Sequence, residues 1–191
     1  VASLFVDASG RAGVLRKLSS VLAPWCPPVR GDELCSAGDH HFAIADRDGA
    51  LRFLDSYGAV PGETITEVGI AGGFSTRAIT VHEDVRSVGV LIGCLANGRY
   101  GTAPRLFDEL RVAQPWIGET YAGGYGVIPL RRPFARFTAP GLALVGDAAC
   151  QVMSAHGSGI GLGLIAGRLL ADAVADAPDP GDEATLWGYQ A

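Results

Sequence analysis

The stretch 140–175 constrains the fold of this chain more than any other part of the sequence. It opens with a short apolar run, Leu142 to Val145, that has the length and the flanking glycines of a buried strand. Gly146-Asp147 follows, where the backbone can turn sharply and a carboxylate can point away from the sheet edge. After a loop through Gly157-Ser158-Gly159, the run from Ile160 to about Ala175 carries leucines and alanines at helical spacing. Strand, acidic turn, glycine-rich loop and helix are the order in which α/β proteins present a helix N-terminus to an anionic or electron-rich ligand.

The glycines at the start of the predicted helix leave backbone N–H groups accessible. Gly157, Gly159 and Gly161 carry no side chain, so a planar or phosphorylated ligand can approach the backbone there. Ionised Asp147 only accepts hydrogen bonds, so it suits the hydroxyls of a polyol better than a phosphate. The glycines alone are equally consistent with a tightly packed strand–helix unit that binds nothing. The dipeptide Gly146-Asp147 in that setting favours the ligand.

The segment LALVGDAACQV, followed by HGSGIG, resembles the C-terminal Gly-Asp motif of FAD-dependent oxidoreductases of the p-hydroxybenzoate hydroxylase type. It is most similar to the motif of the geranylgeranyl reductase family. The resemblance implies that Asp147 binds the ribityl chain of FAD and that the glycine-rich turn lies against the flavin ring. The implied cofactor-binding residues of this region are Gly146, Asp147, Gly157, Ser158 and Gly159.

The loop between the two halves of the motif departs from the family in one respect. A proline that is usual there is absent, and the chain reads Met153-Ser154-Ala155-His156. His156 is the only titratable side chain inside the glycine loop, so it is the candidate proton donor of the catalytic step. The alternative is that His156 hydrogen-bonds FAD or the loop backbone.

A second motif stands near the start of the chain, where DASGR, residues 7–11, follows the strand-like run from Ala2 to Val6. Any α/β protein has several strands that end in polar turns, so this short motif is weak alone. It resembles the segment that closes the FAD-binding sheet in geranylgeranyl reductases, flavin halogenases and their relatives. The resemblance implies that this segment, including Gly10, lies near FAD and supports its binding indirectly.

The middle of the chain changes character. The segment 64–95 is rich in Val, Ile, Thr and Gly, and it predicts three antiparallel strands at about 65–71, 74–81 and 86–95. Helices are predicted over 14–22, over 50–57 and from a Thr102 cap to about Ala113. The adjacent His40 and His41 cannot share a helix face and lack a third ligand at suitable spacing, so no metal site is predicted.

The segment YAGGYGVIP, residues 121–129, resembles the strand that precedes the return to the flavin domain in this family. The resemblance makes Gly124, Tyr125 and Gly126 candidates for the substrate channel. A plain strand with a bend explains the segment equally well.

Composition limits the partners. The net charge is −5, the isoelectric point is about 5.3 and no basic run occurs, which excludes nucleic acid as an expected partner. The four cysteines lack metal-ligand spacing and are expected to be reduced thiols of a cytoplasmic protein.

The first residue is Val, and no Gly-x-Gly-x-x-Gly motif follows a strand. The sequence therefore predicts the C-terminal portion of a longer enzyme.

The predicted fold class is α/β (α+β): an incomplete three-layer FAD-binding domain without its N-terminal βαβ unit, carrying an inserted, mainly antiparallel substrate sheet. The expected boundaries are 1–24 for the end of the first part of the FAD domain, 25–130 for the substrate domain and 131–191 for the rest of the FAD domain.

The resemblance implies an FAD-dependent oxidoreductase that reduces C=C bonds of an isoprenoid or similar apolar substrate by hydride transfer from reduced flavin. NAD(P)H or ferredoxin would supply the electrons, and peripheral contact with a membrane stays open. A flavin-dependent aromatic monooxygenase or a halogenase is the alternative within the superfamily. An alternative of another class is a non-catalytic fragment that does not bind FAD alone.

Overall fold

The structure is a computed structural model that describes residues 2–153 and 158–191. Its strands and helices follow one another in the order β1 (Phe5–Asp7), β2 (Leu34–Ile44), α1 (Arg47–Ser56), β3 (Thr64–Val68), β4 (Ser75–Val81), β5 (Ser87–Leu95), α2 (Ala103–Ala113), β6 (Ile117–Pro129), β7 (Thr138–Ala139), β8 (Leu142–Leu144), α3 (Gly159–Val174) and α4 (Glu183–Gln190). The described residues form two compact units, one within 1–33 and 128–191 and the other from 34 to 127. None of the described helices has both the length and the apolar character needed to cross a lipid bilayer.

The first unit is built on a small mixed sheet in the order β1-β8-β7. β1 runs parallel to β8, with Phe5 opposite Leu142 and Asp7 opposite Leu144, whereas β7 pairs antiparallel with β8. Helices α3 and α4 pack against this sheet through a buried cluster that comprises Ala143, Ala166, Leu170, Leu186 and Tyr189. The two ends of the chain therefore contribute strands to one body.

The second unit is a five-stranded antiparallel sheet in the order β3-β4-β5-β2-β6. The three predicted strands between residues 64 and 95 are confirmed as β3, β4 and β5. Helices α1 and α2 contribute to the apolar cluster on one face of the sheet, which includes Phe42, Val88 and Phe107. Together with the mixed sheet of the first unit, this antiparallel sheet confirms the predicted fold class.

Strand β2 has no counterpart among the predicted strands. Its sequence contains Gly38, Asp39, His40 and His41, which are not typical of strands, yet it pairs with β5 along most of its length. The two histidines fall on opposite faces: the His40 ring lies 4.7 Å from that of Phe107, and the His41 ring lies 5.9 Å from that of His82. Within the described ranges, no three potential metal ligands come together.

The helix predicted over 14–22 is wrong in its length and type. The structure has a single 3₁₀ turn, Arg16–Leu18, followed by further turns. The hydroxyl of Ser9 accepts the amide hydrogen of Val14, and the carboxylate of Asp7 accepts that of Arg16. Side-chain acceptors in the preceding turn thus compete with the α-helical pattern for these backbone donors.

Candidate functional site

The turn after β8 forms one wall of a cavity in the first unit. Gly146 adopts φ +66°, a left-handed conformation that favours glycine, and a 3₁₀ turn runs from Gly146 to Ala149. The cavity measures about 320 Å³ and is lined by Ile128, Asp147, Val152, Gly159 and Ile160. The structure therefore brings Asp147 and Gly159, both predicted cofactor-binding residues, to one apolar cavity.

Asp147 is the charged group of this cavity. Burial raises the pKa of its carboxyl group above the usual value, because an ionised carboxylate loses hydration there. Among residues 2–153 and 158–191, no hydrogen bond to its side chain offsets this effect. The carboxylate is thus held ready to accept hydrogen bonds from a ligand that carries hydroxyl or amine groups.

The N-terminus of α3 lies beside Asp147. The hydroxyl of Ser158, at the N-cap position, donates to the carbonyl of Met153 and does not cap the helix. In contrast, the carboxylate of Asp182 caps α4 by accepting the amides of Ala184 and Thr185. The first-turn N–H groups of α3 have no acceptor within the helix, and this end of the helix carries partial positive charge. It is suited to an electron-rich ligand edge.

The DASGR segment is organised by Asp7, whose exposure is only 1%. Its carboxylate accepts hydrogen bonds from the amide and hydroxyl of Ser9 and from the amide of Arg16, 2.8 Å away. Burial by itself would raise the pKa of Asp7, but these hydrogen bonds outweigh burial and lower the pKa. Asp7 is thus committed to internal bonds and supports the shape of the segment.

Arg16 links this segment to the turn at Asp147, and sequence reasoning did not identify it. Its guanidinium Nη1 donates to the carbonyl of Ala148 at 2.6 Å, and its Cζ lies 4.9 Å from the centre of the Phe134 ring. Gly13 makes room for this arrangement, since a Cβ there would lie 2.5 Å from the guanidinium. No local pattern marks Arg16, because its partners are distant in sequence.

Ile128 and Val152 are also cavity residues that sequence reasoning did not select. Ile128 belongs to the "IP" dipeptide that ends the segment YAGGYGVIP. The resemblance therefore covered this residue, but only Gly124, Tyr125 and Gly126 of that segment were selected as site residues. Val152 is the last residue of the segment LALVGDAACQV, and a Cβ on Gly159 would lie 3.1 Å from its Cγ2. Both residues make the cavity wall apolar around the Asp147 carboxylate.

All of the predicted site residues stay predictions, including those that lie outside the Asp147 cavity. In β6, the Tyr125 ring packs 4.5 Å from the His40 ring and 5.8 Å from the Phe107 ring, while a Cβ at Gly124 or Gly126 would meet no atom within 4 Å. Gly10 has φ +65° and likewise faces open space. His156 and Gly157 lie outside the described residues.

Comparisons with known proteins place the fold. No protein-family model matches the chain, and none of the curated proteins searched matches it in sequence. A geranylgeranyl bacteriochlorophyll reductase-like protein from Thermoplasma acidophilum superposes with a TM-score of 0.72 at 20% identity, over 99% of this chain and 45% of its own. HpxO from Klebsiella pneumoniae, solved with FAD, gives 0.61 at 16% identity, over 98% and 47% of the two chains. A tryptophan 6-halogenase from Streptomyces toxytricini gives 0.58 at 14% identity, over 98% and 33%.

These likenesses confirm, at the level of the fold, the resemblance to geranylgeranyl reductase-like proteins and related flavoenzymes. The chain spans half or less of the length of these structures.

Proposed function

We propose that this chain is part of an FAD-dependent oxidoreductase and that the Asp147 cavity holds the ribityl chain and one edge of the flavin ring. The observation that carries the proposal is Asp147 itself, a partly buried carboxylate in an apolar cavity that accepts no side-chain hydrogen bond from residues 2–153 or 158–191. It lies beside a helix N-terminus whose N-cap residue, Ser158, does not cap the helix with its side chain. The fold of relatives that include a structure solved with FAD supports it.

The residues present fit such a cofactor. Ile128, Val152 and Ile160 offer apolar contact to a flat ring, and Asp147 accepts hydrogen bonds from ribityl hydroxyls. The backbone at Gly159 leaves space beside this carboxylate, since a Cβ there would lie 3.7 Å from Asp147 Oδ1. A phosphate fits less well, because the Asp147 carboxylate would repel it.

The chain's own residues would bind and orient the cofactor. Flavin, when bound, supplies hydride transfer from N5 of its ring. The positive end of α3 favours negative charge at the adjacent ring edge, by up to about 2 kcal/mol where the geometry is partly buried. The DASGR segment supports the Asp147 turn through Arg16 and its bond to Ala148.

The specific reaction we propose is reduction of C=C bonds in an isoprenoid or similar apolar chain, with NAD(P)H or ferredoxin as electron donor. Two features support it: the similarity of the Gly-Asp motif to that of geranylgeranyl reductases, and the higher TM-score with the reductase-like protein than with HpxO or the halogenase. We retain His156 as the proposed proton donor and Gly124, Tyr125 and Gly126 as proposed substrate contacts.

A second candidate function is a flavin-dependent aromatic monooxygenase or halogenase. The likeness to the tryptophan 6-halogenase favours it, because that structure covers nearly all of this chain. A further alternative is that the 191-residue chain does not bind FAD when isolated.

The first experiment measures flavin binding by the shift in flavin absorbance, using riboflavin and FAD. If the chain binds only ring and ribityl, both ligands should bind with affinities that agree within about threefold, a difference of about 0.7 kcal/mol. Binding of FAD only by a longer natural protein that contains this chain would support the isolated-fragment alternative. If neither the 191-residue chain nor a longer protein that contains it binds flavin, the proposal is overturned.

The second experiment identifies the reaction. The form of the protein that binds flavin is used, with its flavin chemically reduced in the absence of oxygen. It is incubated with a geranylgeranyl-type substrate, and the products are analysed by mass spectrometry. Gain of two hydrogens for each reduced double bond supports the reductase. The second candidate is supported if that substrate is not reduced and an aromatic substrate instead gains oxygen under air, or exchanges a ring hydrogen for halogen under air in the presence of halide ion.

A further inference from the structure

We infer that Tyr189 on α4 is a positioning residue for the Gly146–Asp147 turn and that it acts through Gln151. This inference rests on the proposed function, since it concerns how the proposed flavin site is held in shape. The Gly146 amide donates to Gln151 Oε1 at 2.9 Å, and Gln151 Nε2 donates to the Tyr189 hydroxyl at 3.0 Å. The Tyr189 hydroxyl donates to the carbonyl of Leu144 at 2.8 Å.

The direction of each hydrogen bond follows from the chemistry of its ends. The Gly146 amide can only donate, so Oε1 of Gln151 must face it, and the Nε2 group then faces Tyr189. The carbonyl of Leu144 can only accept, so it takes the single hydroxyl hydrogen of Tyr189. That hydroxyl cannot donate to Gln151 Oε1, 3.2 Å away, at the same time.

The two ends of this relay are backbone groups on either side of Val145. Leu144 is the last residue of β8, and Gly146 begins the turn that carries Asp147. The relay therefore bridges the strand end and the turn and fixes the backbone from which the Asp147 side chain extends. Gly146 has φ +66°, and few other residues could take its place.

Tyr189 is itself held firmly. It is 6% exposed, and its ring packs edge-on against Phe137 with a centroid distance of 5.2 Å. Burial raises the pKa of its phenol, so the hydroxyl keeps the hydrogen that it donates to Leu144. A hydroxyl on a packed ring loses little further freedom when it forms these bonds, which makes it a suitable anchor.

The test replaces Tyr189 by Phe, which removes the hydroxyl and keeps the ring. Two readouts are taken: hydrogen exchange of the Gly146 amide in the flavin-free chain, and the dissociation constant for riboflavin or FAD in whichever form of the protein binds flavin. We expect faster Gly146 exchange and a five- to tenfold weaker flavin affinity, about what one lost hydrogen bond produces. Tyr57→Phe is the matched control, because its hydroxyl bonds Glu67 in the other unit and should leave both readouts unchanged.

Gln151→Met removes the middle of the relay and serves as the second variant if Tyr189→Phe folds poorly. It should speed hydrogen exchange of the Gly146 amide. The double variant, Tyr189→Phe with Gln151→Met, should exchange little faster than the single variants, because both substitutions break the same series of hydrogen bonds. A loss of melting temperature in Tyr189→Phe with Gly146 exchange and flavin affinity unchanged would overturn the inference, as would additive effects. If no form of the protein binds flavin, the proposed function fails, whereas Gly146 exchange still decides whether the relay exists.

Discussion

Asp7 and Asp147 stand at the ends of two neighbouring parallel strands, and folding moves the pKa values of their carboxyl groups in opposite directions. The strands are directly joined beyond their last pair, where the Val145 amide donates to the Asp7 carbonyl at 3.0 Å. Hydrogen bonds from its own segment lower the pKa of Asp7, whereas burial raises the pKa of Asp147. One carboxylate supports the fold, and the other is available to a ligand.

Asp7→Asn should lower the free energy of unfolding by about 1.5–3 kcal/mol at neutral pH. Both oxygens of Asp7 accept hydrogen bonds, and an asparagine has only one acceptor oxygen, so the donors of either Ser9 or Arg16 lose their acceptor. A lowered folded pKa means that the stabilisation is present above the unfolded pKa, 3.8, and is lost as pH falls through the folded pKa. Urea unfolding at several pH values measures this. A gap between variant and wild type that stays constant down to the most acidic pH would contradict it.

Asp147→Asn should have the opposite effect on the ligand-free protein. A raised folded pKa means that the carboxyl group destabilises the fold as pH rises through that pKa, and the penalty is absent below the unfolded pKa, 3.8. The variant should therefore be slightly more stable at neutral pH, by less than about 0.5 kcal/mol. Its flavin affinity should fall more than tenfold, through loss of about 1.5–3 kcal/mol of charge-assisted hydrogen bonding. Flavin titration and urea unfolding on the same variant measure both effects, and unchanged flavin affinity would refute the assignment of Asp147.

Gly159→Val should weaken flavin binding at least tenfold, about 1.4 kcal/mol, because the side chain enters the cavity beside Asp147. If a flavin lies against this glycine, the ligand-free protein should largely tolerate the change, whereas a glycine that only packs the strand–helix unit would make the change destabilising. The structure adds a cost, since the new Cβ would lie 3.1 Å from Val152 Cγ2 and one of the two groups must shift. Gly167→Ala in the same helix is the control: it meets no atom within 4 Å and should stabilise the fold by up to about 1 kcal/mol without changing flavin affinity. A large loss of ligand-free stability in Gly159→Val with flavin affinity intact would assign this glycine a packing role only.

The backbone conformation of Cys150 leads us to expect that its alanine and glycine variants differ in stability. It adopts φ 58° and ψ 30° after the Asp147 turn, a left-handed conformation that is strained for any residue with a Cβ. Burial raises the pKa of its thiol to about 11, so the side chain is neutral and fully enclosed. Cys150→Ala and Cys150→Gly both remove the sulfur, but only glycine relieves the backbone. The glycine variant should be more stable than the alanine variant by about 1 kcal/mol in thermal unfolding. Equal stability would mean that the strain is absent.

The local order of the first unit was predictable from the sequence. The run Leu142–Val145, the Gly-Asp turn and the helix that begins at Gly159 correspond closely to β8, its turn and α3. The three strands between 64 and 95 were predictable for the same reason: apolar periodicity and turn residues act over a few neighbours, and the chain carries them wherever it folds.

Strand β2, which the sequence did not predict, depends on contacts with residues that are distant in sequence. β2 is a strand because Gly38 leaves room for Phe107 and Tyr125, whose atoms lie 2.7 and 2.8 Å from the position a Cβ there would take, and because β5 supplies its hydrogen bonds. Its central residues include Ala37, Gly38 and Asp39, which are depleted in strands, so its local pattern did not indicate a strand.

The sequence by itself determined that a carboxylate and a glycine-rich helix start follow a buried strand, because these are properties of adjacent residues. Only the tertiary structure decided how that turn is held. Arg16, which lies far before the Gly-Asp motif in sequence, donates to the carbonyl of Ala148. Tyr189, which lies well after the motif, donates to the carbonyl of Leu144. The tertiary structure also decided that Asp7 accepts hydrogen bonds within the protein, whereas Asp147 accepts none from the part of the chain that the structure describes. A pKa depends on the solvation and the donors around a group, and those are set when distant segments pack together.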